Sequence, residues 1–371
     1  MKKRMISLMT AMIFLASALF TGCSANNPSQ GQAAPAAQTI SVTDSLGRQV
    51  EISAQAKKVV AIGPGALRLC MYFNSIEMMA GIEQMDKDSA TGKPYVMAYP
   101  ALADLPVIGP GGPNNAPDPE KILSAKPDVI FTTYAAEKAA ADNLQEKTGI
   151  PVIALSYGKT STFDPEVNNS LKLIGKVTGK DQKAQEIIDN LEKWKTDLDT
   201  RTKDIPDSKK PSAYVGGLGM KGTHGIESTQ GNYSLFNILH AKNVVDETGK
   251  TGSVMIDKEK LIQWNPDRIF IDGSGLSMLQ EDYKKNPAYY QTLSAFKNGE
   301  VYLLLPYNFY TTNIDTSIAD AYYMGKVLYP EQFKDVDPEK KADEIYKTLL
   351  GKELYAQMAK DYGGFKKLTL P

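Results

Sequence analysis

One fourteen-residue segment occurs twice in the chain, and the spacing of its copies constrains the fold more than any other feature. Residues 118–131 read DPEKILSAKPDVIF and residues 257–270 read DKEKLIQWNPDRIF, with seven of the fourteen positions identical. The copies begin at Asp118 and Asp257, 139 residues apart, which is about the size of one domain. This spacing predicts two related lobes rather than a short structural repeat.

Each copy predicts a short helix followed by a buried strand. Asp118 or Asp257 can cap the helix, Pro119 suits the first helical position, and Pro127 or Pro266 ends the helix. Because such helices and strands alternate, we expect an α/β fold with parallel sheets, whose ligands bind beyond the carboxyl ends of the strands. The predicted buried strands are the apolar runs at residues 59–62, 129–131, 152–155, 213–215, 269–271 and 301–305.

A long amphipathic helix is predicted over residues 181–203, between the lobes. At about 1.5 Å per residue it spans roughly 35 Å, which is long enough to run the depth of both lobes. We therefore expect a stiff strut and only small lobe motion. The apolar positions at helical spacing are Ala184, Ile187, Ile188, Leu191, Trp194 and Leu198.

The amino-terminal residues predict export and a lipid anchor. A basic start and an apolar stretch are typical of a signal peptide over residues 1–22, and Cys23 stands where a bacterial lipobox places its lipidated cysteine. The alternative is a secreted protein with an incidental cysteine. Residues 23–38 predict a flexible tether. The domains expected beyond it are an N-terminal lobe over 39–163, a helical region with the interlobe helix over 164–204, and a C-terminal lobe over 205–371.

Charge, cysteine content and missing motifs exclude several functions. The chain has 42 basic and 43 acidic residues, so no long-range field recruits nucleic acid or an anionic membrane. After Cys23 only Cys70 remains, which predicts a buried apolar cysteine and no intrachain disulfide. The absence of G-x-S-x-G and H-E-x-x-H motifs, and the wide separation of the two histidines, argue against an extracellular hydrolase or metalloenzyme.

Four segments together resemble the substrate-binding proteins of iron-siderophore, haem and vitamin B12 importers. The resemblance implies the helical-backbone class (class III) of periplasmic binding proteins: two Rossmann-like lobes with central, mostly parallel sheets, joined by one long rigid helix. It also implies a monomeric, extracytoplasmic, lipid-anchored protein that is not an enzyme, needs no cofactor and delivers a ligand to an ABC permease and ATPase complex. The segments are residues 43–48 in a predicted hairpin, 58–61, 119–128 and 180–193.

In that class, an acidic residue on each lobe forms a salt bridge with arginines of the permease. The resemblance carries this role to Glu120 and Glu259, which occupy the same position in the two copies of the repeat. The alternative is that each glutamate only complements the dipole of its helix, for about 0.3 to 1 kcal/mol. Two carboxylates a lobe's width apart could in addition align the protein on a two-fold permease.

Candidate ligand-binding residues lie after the predicted strands, among glycine-rich loops. Arg68 suits a carboxylate, phosphate or oxyanion, and His224 could ligate a metal or donate to an anion, whereas His240 is predicted to be structural. Tyrosines offer a ring face and a hydroxyl, which suits a metal chelate or a flat macrocycle. The remaining candidates are Tyr134, Tyr157, Tyr307 and Tyr310.

The sequence leaves the ligand open. An iron complex, siderophore-like or a related metal chelate, is the leading prediction because the family resemblance and the tyrosine cluster agree. A tungstate- or molybdate-like oxyanion is the alternative, since Arg68, His224 and the amides of glycine loops could all donate to one.

The paired glutamates give a direct test. Because they are predicted to contact the permease and not the ligand, the double substitution Glu120→Ala with Glu259→Ala should abolish uptake and leave ligand affinity unchanged. Uptake of radiolabelled ligand by cells, together with calorimetry on the purified protein, measures both quantities. Normal uptake by the double variant would contradict the prediction.

Overall fold

A computed structural model describes residues 39–112, 115–219 and 222–370. The predicted signal peptide, Cys23 and the tether lie outside these residues. Among them, no helix combines the length and apolar character needed to cross a membrane. Their contacts join them into one compact unit.

Strands and helices alternate along most of the chain. The strands are β1 Ile40–Thr43, β2 Gln49–Ile52, β3 Val59–Ile62, β4 Val129–Thr132, β5 Val152–Ala154, β6 Ser212–Gly216, β7 Ser228–Gly231, β8 Lys242–Asn243, β9 Gly252–Met255, β10 Arg268–Asp272, β11 Val301–Leu304 and β12 Lys366–Lys367.

Helices fill the segments between the strands. They are α1 Ala66–Met71, α2 Gln84–Asp88, α3 Pro94–Ala98, α4 Pro119–Ala125, α5 Lys138–Thr148, α6 Pro165–Thr178, α7 Asp181–Thr202, α8 Ser234–Ile238, α9 Lys258–Trp264, α10 Leu276–Lys285, α11 Pro287–Tyr290, α12 Ser294–Lys297, α13 Ile314–Leu328, α14 Pro338–Leu350 and α15 Tyr355–Tyr362. Short 3-10 turns at Ile76–Met78, Pro100–Asp104, Asp207–Lys209, Val244–Thr248 and Gly273–Gly275 join them.

The first sheet has three parallel strands in the order β3-β4-β5. Every residue of these strands is buried, which is the burial expected of a parallel sheet covered on both faces. The predicted hairpin, formed by β1 and β2, precedes the sheet, and Ile40 lies opposite Ile52 in it. This lobe therefore has the predicted α/β architecture.

The second sheet has five strands in the order β12-β11-β10-β6-β8. Strands β11, β10, β6 and β8 are parallel, and only the edge strand β12 runs antiparallel. A separate antiparallel pair, β7 and β9, lies beside this sheet. The predicted fold class, two lobes with mostly parallel central sheets, is confirmed.

The two copies of the repeat occupy equivalent places in the two lobes. The first forms α4 and β4, and the second forms α9 and β10, each strand being internal to its sheet. Asp118 caps α4 by accepting a hydrogen bond from the Lys121 amide at 3.1 Å. The equivalent cap was predicted wrongly for α9, where the Asp257 side chain makes no such bond. Each helix ends at a residue in the left-handed conformation, Lys126 for α4 and Asn265 for α9, and the proline follows directly.

Helix α7 confirms the predicted amphipathic helix, and all six of its predicted apolar positions are buried. It packs along α6, and its C-terminal end is bonded to elements of the second lobe. Arg201 forms an ion pair with Asp335 at 2.7 Å, and the Tyr322 hydroxyl donates to Asp197 at 2.7 Å. His240 contacts Asp199 of the same helix at 2.8 Å, which agrees with its predicted structural role. Helix α7 thus joins α6 to elements of the second lobe.

The contact between the buried Gly325 of α13 and the ring of Phe333 gives a stability test. A methyl group on Gly325 would overlap the ring of Phe333, which is fully buried. Gly325→Ala should therefore lower the free energy of unfolding by about 1 to 3 kcal/mol, outweighing the roughly 1 kcal/mol by which alanine favours a helix. Urea denaturation measures the change. The loss should shrink in a Phe333→Leu background, and an unchanged or raised midpoint for Gly325→Ala would refute the overlap.

Candidate functional site

The carboxyl ends of β3, β4 and β5 meet at one edge of the first sheet, as the topology requires. The Thr133 hydroxyl, just after β4, donates to the Pro64 carbonyl, just after β3, at 2.8 Å. A cavity of about 280 Å³ opens at this edge. Its lining comes from three strand ends, from the β1–β2 turn, and from one residue of the second lobe. These residues are Ser45, Leu46, Pro64, Thr133, Ala135, Ala136, Leu155, Ser156, Tyr157 and Thr311.

The second lobe reaches the cavity through residues 307–313, which follow β11 and are called the interlobe loop below. Tyr310 and Thr311 have φ angles of 52° and 67°, a left-handed conformation that is rare for a tyrosine and strained for a β-branched threonine. The loop closes on itself, since the Asn313 amide donates to the Tyr307 carbonyl at 2.7 Å. A strained conformation persists only where surrounding contacts hold it, and the first lobe supplies those contacts.

Arg68, on α1, holds the interlobe loop in place through hydrogen bonds. Its Nε donates to Asn313 Oδ1 at 2.8 Å, and its Nη2 donates to the Phe309 carbonyl at 2.8 Å. Its Nη1 donates to the Tyr157 hydroxyl at 3.2 Å, and the guanidinium carbon lies 4.8 Å from the centroid of the Tyr95 ring. Arg68 is fully buried, so its donors meet protein oxygens on both lobes. Its predicted contact with ligand stays a prediction.

Glu83 holds the same loop from another side, and the sequence reasoning missed it. Glu83 Oε2 accepts hydrogen bonds from the Gly63 amide at 3.1 Å and from the Tyr310 hydroxyl at 3.0 Å. That hydroxyl in turn accepts from the Gly112 amide at 2.8 Å. Burial raises the pKa of Glu83 to about 7. In the sequence, Glu83 directly follows Gly81 and Ile82, and an acidic residue at such a position is easily taken for a surface residue.

Asp86, Lys93 and Tyr95 form a further buried polar cluster. The Tyr95 hydroxyl donates to Asp86 Oδ1 at 2.6 Å, and Lys93 Nζ lies 3.7 Å from the same oxygen. Burial raises the pKa of Asp86 and lowers that of Lys93, because each loses its hydration. This wall of the cleft is therefore polar to a depth of several side chains.

The predicted tyrosines are brought to the cleft, but mostly without free ring faces. Tyr157, Tyr307 and Tyr310 are buried, and Tyr134 is half-buried. Tyr157 donates its hydroxyl to the Gly65 carbonyl at 3.0 Å, and the ring of Tyr307 lies 6.1 Å from that of Tyr233. Only Tyr134 presents much ring surface to a flat ligand, so the aromatic stacking surface expected from the sequence is small.

The second-lobe side of the cleft consists of glycine turns and small polar side chains. The Ser274 amide donates to Asp272 Oδ1 at 2.9 Å, and Asn308 Nδ2 donates to the Gly219 carbonyl at 2.9 Å. Gly275 requires a glycine, because a Cβ there would collide with the Gly217 backbone. His224 is half-exposed between β6 and β7. Among the described residues, no group of three or more His, Cys, Asp or Glu side chains could hold a metal ion.

The two glutamates assigned to the permease are exposed and lie away from the cavity lining. Glu120 is the second residue of α4, and Glu259 is the second residue of α9. Each stands in the first turn of its helix, so both retain the position that the repeat predicted. Their contact with a permease stays a prediction.

Comparisons with known proteins agree with this architecture. The chain is 22% identical over 330 residues to the ABC transporter substrate-binding lipoprotein YvrC of Bacillus subtilis, covering 88% of this chain and 98% of that one. It is 26% identical over 325 residues to the molybdate-binding protein MolA of Haemophilus influenzae, covering 82% and 89%. The structure of MolA bound to molybdate has a TM-score of 0.67 to this chain, at 22% identity and covering 85% and 98%. An iron-uptake system-binding protein of Bacillus subtilis is 29% identical over 202 residues, covering 52% and 60%.

Two lobes with parallel sheets, a stiff connecting helix and a cleft at the strand ends define a class III solute-binding protein of an ABC importer. A family model described as periplasmic binding protein matches residues 70–307, and the chain belongs to that family. Its members are extracytoplasmic solute-binding components of transporters, so the resemblance found in the sequence is confirmed at this level.

The buried carboxyl of Glu83 predicts a pH-dependent stability. Its pKa rises from 4.5 to about 7 on folding, so its contribution is fully present below about pH 4.5 and is lost as the pH rises through about 7. Between about pH 4.5 and 7, the free energy of unfolding of the unsubstituted protein should therefore fall. In Glu83→Gln this fall should be smaller by about 3 kcal/mol. Urea titrations at several pH values measure the difference. The exposed Glu146→Gln should behave as the parent, and equal slopes in Glu83→Gln and the parent would contradict the assignment.

Proposed function

We propose that this protein captures a small tetrahedral oxyanion of the molybdate or tungstate type and delivers it to an ABC permease and ATPase complex. The observation that carries the proposal is the cavity at the strand ends, where five of the ten lining residues carry a hydroxyl group, although the hydroxyls of Thr133 and Tyr157 already donate to backbone carbonyls. The five hydroxyl groups belong to Ser45, Thr133, Ser156, Tyr157 and Thr311.

An unsatisfied donor supports a polar ligand at this place. The buried Ser45 hydroxyl has no hydrogen-bond partner in the described part of the chain, and Ser45 lines the cavity. Buried hydroxyls are normally hydrogen-bonded, so an orphan one beside a cavity favours a ligand with acceptor atoms. An oxyanion has four such atoms, and neutral hydroxyl and amide dipoles can bind it without a paired cation.

The size of the cavity also favours a small ligand. Its volume of about 280 Å³ lies just below the range of pockets that bind drug-sized molecules, roughly 300 to 1,000 Å³. The buried rings of Tyr157, Tyr307 and Tyr310 offer no stacking surface to a macrocycle. The similarity to a molybdate-binding protein over 82% of the chain agrees with this choice.

An iron complex, favoured by the sequence, becomes the second candidate. It is supported by the similarity to an iron-uptake system-binding protein over half of the chain. A bulky chelate would require the interlobe loop to leave Arg68 and Glu83, exposing the rings of Tyr157 and Tyr310. This candidate therefore depends on a wider cleft than the one described above.

The proposal also includes how the protein is held and docked. Cys23 would carry the lipid that anchors it at the outer face of the cell membrane, and Glu120 and Glu259 would pair with arginines of the permease. The exposure of both glutamates supports docking without movement of the lobes' cores. The protein binds and releases its ligand without chemical change to it.

Thermal-shift assays with molybdate, tungstate, sulfate and ferric siderophores distinguish the candidates. A ligand at about 100 times its dissociation constant should stabilise the protein by about 2.7 kcal/mol. We expect this from molybdate or tungstate and not from a ferric siderophore. Stabilisation by the siderophore alone would reverse the order of the candidates.

A single hydroxyl then tests the site itself. Ser45→Ala removes one donor to the anion, so the dissociation constant measured by calorimetry should rise roughly tenfold. The exposed Ser53→Ala, beyond the same hairpin, is the matched control and should bind as the parent does. Unchanged affinity in Ser45→Ala would place the anion elsewhere.

A further inference from the structure

Large apolar side chains are rarely exposed on this protein, and their distribution is not random. Among the described residues, four such side chains are more than a third exposed: Leu123 at 43%, Met255 at 46%, Ile262 at 38% and Met278 at 40%. Leu123 and Ile262 occupy the same position in the two copies of the repeat. Two of the four exposed large apolar residues therefore lie at the same position on equivalent helices of the two lobes.

Packing of the helices does not require these two side chains. The preceding residue in each copy, Ile122 or Leu261, is fully buried and supplies the apolar contact with the sheet. Leu123 and Ile262 instead face outward. A single exposed leucine is ordinary on a protein surface, but the recurrence at one repeat position in both lobes calls for a separate reason.

Leu123 and Ile262 each lie three positions after a glutamate assigned to docking. Residues at i and i+3 are neighbours on a helix surface, so Glu120 stands beside Leu123 and Glu259 beside Ile262. We call each combination an acid–apolar pair. One pair on each lobe is the arrangement that a partner with two equivalent halves would need.

The surroundings of the first pair suit a partner side chain. A surface groove of about 610 Å³ runs beside Glu120 and Leu123, with Pro110, Pro117 and Pro119 among its walls. Prolines give a rigid apolar wall next to the carboxylate. In the second copy, the position of the groove residue Ala116 is taken by Met255, another of the four exposed apolar residues. The first pair thus lies beside an open groove, and an exposed methionine stands four residues before the glutamate of the second pair.

We propose that Leu123 and Ile262 are apolar contact residues through which the two lobes dock on the two halves of the importer's permease. Each would pack against an apolar side chain of the permease, beside the ion pair made by Glu120 or Glu259. Exclusion of water around an ion pair lowers the local dielectric and strengthens it, which an acid alone on a wet surface cannot achieve. The inference rests on the proposed docking by the two glutamates and adds the residues that desolvate it.

The test uses the full chain and its permease and ATPase complex reconstituted in lipid nanodiscs, with docking measured by biolayer interferometry at low and high salt. Leu123→Ser with Ile262→Ser should weaken docking at least roughly tenfold at both salt concentrations. Glu120→Gln with Glu259→Gln should weaken docking mainly at low salt, because salt screens what remains of an exposed ion pair. Thermal unfolding should be unchanged, since all four positions are exposed.

Met278→Ser is the matched control, because Met278 is apolar and about as exposed as Leu123 and Ile262 but lies outside the repeat. It should dock as the parent does, and equal weakening would reduce the effect to general surface hydrophobicity and overturn the inference. Normal docking of the Leu123 and Ile262 double variant, with weakened docking of the glutamate variant, would overturn the inference and leave the proposed function standing. Failure of the unsubstituted protein to bind the complex would reject the proposed function itself.

Discussion

The buried guanidinium of Arg68 is the interaction on which the cleft depends. It donates to the Phe309 carbonyl and to Asn313 on one lobe, and to the Tyr157 hydroxyl on the other. Arg68 is fully buried. If the interlobe loop separated from it, the guanidinium charge and the oxygens that it contacts would lose their hydrogen bonds and would have to be hydrated again. The strained φ angles of Tyr310 and Thr311 are tolerated because these bonds hold the loop in place.

Buried carboxyls accompany that cation on both sides of the cleft. Burial raises the pKa of Glu83 to about 7 and that of Asp272 to about 6, and it also raises the pKa of Asp320. In the described residues, one oxygen each of Asp272 and Asp320 and the Tyr233 hydroxyl have no hydrogen-bond partner. A protonated carboxyl repels an oxyanion far less than a carboxylate does, so an anionic ligand and a raised Glu83 pKa reinforce one another.

The proposed docking surface rests on the repeat in the sequence. Two helices with the same sequence pattern begin at the same place relative to an internal strand of each sheet, so their first turns carry the same chemistry. Helix α7 is bonded to the second lobe by the ion pair of Arg201 with Asp335, and we expect it to limit the change in spacing between these helices. A partner with two-fold symmetry can therefore recognise this protein by paired features instead of one continuous patch.

The sequence by itself determined the first hairpin, the six buried strands, the repeat helices, helix α7, the two-lobe fold class and the family. These depend on periodicity, on residues that start or end helices and on a repeat, which can all be read along the chain. The sequence also placed Tyr157 and Tyr310 at the strand ends. Only the tertiary structure decided what those side chains do: Arg68 meets Asn313 from 245 residues away, and Glu83 meets Tyr310 from 227 residues away. Hydrogen bonds over such distances leave no spacing or pattern in the chain, since they arise when packing brings two lobes together and burial forces each polar group to find a partner.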